Sequence, residues 1–141
     1  MNKKRLLKLA DLLIEDARNK KGIKFDMGTW GRAQEDDVMS CGTTACAMGL
    51  AAISEKFKRA GLVYKNRNGA IIIGIKSKSG RITWGGFTAA QRLFGITESE
   101  ADWLFTDSDY EEYHGAPLER EVARRIRRVV AGKEKPERGW W

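Results

Sequence analysis

The chain has 141 residues, of which 42% are hydrophobic and 32% charged, and its 26 Lys and Arg against 19 Asp and Glu leave a net charge of +7. That length suits one domain able to bury a core without disulfides or a structural metal, and that balance is unlike the composition of disordered chains. Apolar runs such as residues 70–75, broken by Gly74, are far short of the roughly 18 residues a membrane-spanning helix needs, and two cysteines with one histidine make neither a disulfide framework nor a zinc site.

In chain order, Met1-Asn2-Lys3-Lys4-Arg5-Leu6-Leu7 has the basic start of a signal peptide, but Lys8, Asp11, Glu15 and Asp16 break the apolar region that should follow. The spacing of Leu6, Leu9, Leu13 and Ala17, widened by Leu7, Ala10 and Ile14, instead predicts an amphipathic, core-facing helix over residues 3–19. Residues 23–25 alternate briefly, Gly28-Thr29-Trp30-Gly31 makes a turn, and residues 32–40 read as a long polar loop. A second helix is predicted from Thr43 or Thr44, as N-cap, to Ala60, closing at Gly61; its apolar first half marks it as the most buried helix.

Residues 62–65, 70–76 and 81–84, separated by Asn- and Gly-containing turns, predict a three-stranded antiparallel meander. A short helix over 88–94 should follow, then a capping box, Thr97-Glu98-Ser99-Glu100, opening a helix through Phe105. Pro117 suits the first turn of a last helix reaching about residue 131, with Glu119 and Glu121 placed where the helix dipole favours acids. The fold class expected is therefore α+β, about five helices packed with a small three-stranded antiparallel sheet, as one domain over 1–132 with a tail over 133–141.

Two stretches carry candidate chemistry. Ser40-Cys41-Gly42-Thr43-Thr44 sits at the expected mouth of the second helix, where free backbone amides attract anions. A phosphate or carboxylate can rest on Cys41, Gly42, Thr43 and Thr44, with Arg32 closing over it and Trp30 offering a stacking face; the plain alternative is a glycine turn and a threonine cap ahead of a buried Cys46. No Gly-Lys-Ser/Thr follows, so this is not a P-loop. In the last helix Arg120, Arg124, Arg127 and Arg128 share one arc opposite Leu118, Val122, Ile126 and Val129, a guanidinium face for an acidic protein or a nucleic acid, or else a solvated surface partly paired with the acidic run 98–112.

Other readings are weaker. Cys41 as a nucleophile needs a base, and His114 is the only histidine. Asp107, Asp109 and Glu111 alternate like early calcium-loop ligands, but Glu112 stands where glycine and Leu118 where glutamate are required. Residues 88–105 outline a helix-turn-helix whose second helix carries Glu98, Glu100 and Asp102 and no base-reading donor, so nucleic acid is not read by that unit. No catalytic set, cofactor or metal is expected.

The pattern Cys41-Gly42-Thr43 with Ala45-Cys46 and Gly49, then Phe94-Gly95-Ile96-Thr97 with Glu100-Ala101 and Leu104-Phe105, resembles a family of small bacterial and phage-encoded proteins without an assigned activity. The resemblance covers most of residues 28–130 and implies a cytoplasmic accessory protein, quite in keeping with a phage product acting stoichiometrically against host defence. By analogy, it would bind a phosphate-bearing, nucleotide-like ligand, with an interaction module on the last helix and a cysteine enzyme as alternatives.

Overall fold

The computed structural model describes residues 1–19, 24–25, 31–32, 44–106, 110–112 and 115–135. Among them the elements run α1 (Lys3–Asn19), β1 (Lys24–Phe25), β2 (Gly31–Arg32), β3 (Thr44–Ala45), α2 (Ala47–Ala52), α3 (Glu55–Arg59), β4 (Leu62–Arg67), β5 (Ala70–Lys76), β6 (Ile82–Trp84), α4 (Gly86–Phe94), α5 (Glu98–Phe105) and α6 (Gly115–Val130). The fold is α+β, with six helices among the described residues and β4–β5–β6 forming a three-stranded antiparallel sheet. The two-residue strands β1, β3 and β2 extend that sheet, joining it where Arg32 pairs with Ala70.

Both long amphipathic helices form over nearly the residues their periodicity marks. Leu6, Leu9, Ala10, Leu13 and Ala17 of α1 are buried and meet Leu118, Val122, Ile126 and Val129 of α6, which packs along it. Leu7, expected to widen the stripe, is instead 40% exposed, because its position lies beyond the arc that α6 covers. Phe94 stands at the middle of the core, its ring 5.9 Å from Phe57 in an edge contact and 5.9 Å from Phe105 in a stacked one.

The second predicted helix is corrected in two places. Thr44 and Ala45 are strand, paired with β1 and β2, so the helix opens at Ala47 with Cys46 as its N-cap and no side-chain cap bond. It then breaks at Ile53-Ser54, where Ser54 is extended (φ −80°, ψ 129°) and starts α3. A β-branched residue followed by serine is weak helix material, and serine favours the N-cap position it takes here. Gly61 closes α3 with φ +108°, and a Cβ there would lie 2.6 Å from the Lys76 carbonyl oxygen.

The capping box of α5 is complete: the Glu100 amide donates to Thr97 Oγ1 at 3.1 Å and the Thr97 amide to Glu100 Oε1 at 2.9 Å.

The antiparallel register divides β4 and β5 into two faces. Leu62, Ile71, Ile73 and Ile75 point into the core, where α2, α3 and α4 pack against the strands. Val63, Lys65, Arg67, Ile72, Gly74 and Lys76 alternate with them on the outer side.

Candidate anion-binding site

Of the six residues expected to form a helix-mouth site, Trp30, Cys41, Gly42 and Thr43 lie outside the described residues, as does His114. The backbones of Arg32 and Thr44 are described, and they stand opposite one another across β2 and β3. The free amides that the helix mouth was to supply are not at Thr44, which belongs to a strand.

Arg120, Arg124, Arg127 and Arg128 of α6 are all exposed, on the side opposite the buried stripe, as expected. Two of them are engaged: Arg127 Nη2 lies 3.0 Å from Asp11 Oδ1, and Arg128 Nε lies 3.1 Å from Glu134 Oε2. These partners come from α1 and the segment after α6, not from residues 98–112. Arg124 and Arg128, with Arg125, Glu121 and Glu134, line a shallow depression of about 230 Å³. Carboxylates are therefore interleaved with the guanidinium groups.

Arg125, which sequence reasoning passed over, is the structural cation of α6. Its guanidinium carbon sits 3.9 Å from the Tyr110 ring centroid and 4.6 Å from that of Trp103, and Nη1 donates to the Trp103 carbonyl at 3.1 Å. The Tyr110 hydroxyl in turn donates to the Leu104 carbonyl at 2.8 Å, and burial raises its pKa. Glu121 accepts from the amides of Glu111 and Glu112, each at 3.0 Å, so these two residues are held to α6 through their backbone amides.

Glu119 corrects the expectation of a dipole-facing acid. It is only 3% exposed and hydrogen-bonds the Asp16 side chain of α1, with Oε2 lacking any hydrogen-bond partner among the described residues. Burial, then the hydrogen bond and the charge of Asp16, push Glu119 up to about 9, with Arg120 opposing. Burial also raises Asp16, while the bond from Glu119 lowers it. Two carboxyls this close cannot both ionise cheaply, so at neutral pH Glu119 keeps the proton and donates it to Asp16.

The outer face of β4–β5–β6 is the other cationic surface. From residue 56 to residue 97 the chain carries nine Lys and Arg and no Asp or Glu. Lys65, Arg67 and Lys76 of this stretch lie on the outer side, and none of them is in an ion pair among the described residues. Trp84 and Ile82, 39% and 38% exposed, sit at alternate positions of β6 on the same side. Trp84 pairs with Gly74, where a Cβ would come within 2.7 Å of Trp84 Cε3 and 3.1 Å of Ile82 Cγ2, so only glycine lets the indole lie this close to β5. Lys65 Nζ stands 4.2 Å from the Trp84 ring centroid. Half-buried Val63 and Ile72 complete an apolar floor with a cationic rim.

The signal for this face was in the sequence, as a long stretch without acids; its assembly depends on a register that pairs Val63 with Gly74 and Gly74 with Trp84. No helix among the described residues is long and apolar enough to cross a membrane, and no group of three or more His, Cys, Asp or Glu among them is placed to hold a metal ion. No protein-family model, curated protein or solved structure matches the chain.

Proposed function

We propose that this protein is a non-catalytic accessory protein that binds a phosphate-bearing ligand, and that the ligand lies on the outer face of β4–β5–β6. The observation that supports this reading is the acid-free stretch 56–97, which gives that face cations with no carboxylate from its own strands and turns to repel a phosphate or occupy a guanidinium. Two residues of the site expected from the sequence adjoin the sheet by their backbones, since Arg32 pairs with Ala70 at the end of β5 and with Thr44 on β3. Calorimetric titration with inorganic polyphosphate is the test. Binding is expected to weaken at least ~10-fold between 50 and 200 mM salt and to be lost when Lys65, Arg67 and Lys76 are all changed to Glu. Undiminished binding by that triple variant would remove the site.

A second reading is favoured by the carboxylates around Arg124 and Arg128. Glu121 and Glu134 would repel a polyphosphate but can fix the register of a protein whose own charges alternate, so α6 suits an acidic protein partner. A defined partner held by the wild type in low salt and released by the Arg120→Glu, Arg124→Glu double variant carries this reading; retention by the variant sinks it.

A further inference from the structure

We infer that the outer face of β4–β5–β6 is a platform for single-stranded nucleic acid, on which a base stacks against Trp84 while Lys65, Arg67 and Lys76 meet the phosphates. This rests on the phosphate-bearing reading above and names its ligand class.

The face holds more than a phosphate requires. A polyanion without rings needs only cations, and exposed indole and isoleucine side chains beside them would gain nothing from it. Here Trp84 and Ile82 are more than a third exposed, whereas the opposite side of the same strands is closed by helices. Gly74 holds the indole down on the sheet, so a ring can approach without the side chain first being ordered. A ligand that fits both halves of this surface has flat rings and phosphates in alternation. In a duplex the ring faces are consumed by neighbouring base pairs, leaving only phosphates to bind; in a single strand they are available.

Lys65 now stands over the Trp84 ring. An exposed cation–π contact of this kind is weaker than base–aromatic stacking, so a base can displace the ammonium. The displaced Lys65 gains a phosphate in return, and no carboxylate between residues 56 and 97 competes for it. The exchange turns one weak internal contact into two contacts with the ligand.

The test is fluorescence anisotropy on the full chain with a labelled oligothymidylate of roughly 20 nucleotides, longer than the site sizes usual for single-strand binders. The competitors are the matching duplex, inorganic polyphosphate and polyglutamate. The single strand is expected to bind at least ~10-fold tighter than duplex or polyphosphate, and Trp84→Ala to weaken it by ~5- to 100-fold while leaving polyphosphate affinity unchanged. Trp84→Phe, which keeps a ring, should retain most of the affinity and guards against misfolding of the alanine variant. Equal binding of single strand and polyphosphate, indifferent to both Trp84 variants, would overturn the platform while leaving the phosphate-bearing reading intact. Binding to none of the phosphate ligands defeats both, and polyglutamate binding alone replaces nucleic acid with an acidic protein.

Discussion

The exposed face of α6 and the outer face of the sheet are both basic, yet they differ in what surrounds their cations. On α6 three of the five guanidinium groups are answered from within the protein: Arg127 by Asp11, Arg128 by Glu134, and Arg125 by two aromatic rings and a carbonyl. On the sheet the cations stand beside an indole and aliphatic side chains, in a stretch without a single acid. A net charge of +7 therefore does not locate an anion site. The position of the compensating carboxylates does, because an anion gains most where it displaces no existing partner.

The largest effect expected from this contrast is on stability. Arg125→Ala removes two ring contacts and a hydrogen bond from a half-buried side chain and should cost about 2 kcal/mol, whereas Lys65→Ala should cost less than ~1 kcal/mol, having one exposed ring contact to lose. Urea-unfolding midpoints compare the two directly. Equal losses would mean that the sheet cation is as structural as the helix one, and the distinction between the surfaces would collapse.

A smaller effect comes from the acid pair that joins α1 to α6. Glu119 ionises near 4.5 in the unfolded chain and at about 9 in the folded one, so folding holds a proton that the unfolded chain releases. Its contribution is fully present below pH 4.5 and is lost as pH rises toward 9. Melting temperature should fall across that window. Glu119→Gln, which mimics the protonated acid, should flatten the decline, raising the midpoint by about 5 °C at pH 8 and leaving it nearly unchanged at pH 4. A slope that survives the substitution would place the responsible group elsewhere. Nucleic-acid binding at the sheet should not share this slope, since no carboxylate lies between residues 56 and 97.

What the sequence made legible was local. The period of α1 and α6, the capping box of Thr97 and Glu100 and the turns of the meander each depend on residues a few positions apart, and each is found where expected. What it hid was set by distant partners. Thr44 reads as a helix cap until β1 and β2 claim its backbone. Glu119 reads as an ordinary acid in a first turn until α1 brings Asp16 against it. Gly74 reads as a flaw in an apolar strand until the register lays Trp84 upon it. The arginine face of α6 was visible from its spacing, but not that Asp11 and Glu134 would occupy half of it.

The least effect, and the one that most sharpens the contrast, belongs to the Arg127–Asp11 pair. Both side chains are about half exposed or more, at 47% and 65%, so water screens the attraction and ordering two flexible side chains offsets much of the rest. A double-mutant cycle with Arg127→Ala and Asp11→Ala should give a coupling below ~1 kcal/mol in ordinary buffer, vanishing in 1 M salt, where the screening length shrinks to about 3 Å. A pair this weak leaves Arg127 free to turn toward a partner, but turning it uncovers Asp11 beside the ligand. An acidic protein can meet that exposed carboxylate with a cation of its own, whereas a phosphate chain cannot. A coupling above ~2 kcal/mol would instead fix Arg127 as a clasp between α1 and α6 and withdraw it from any binding role.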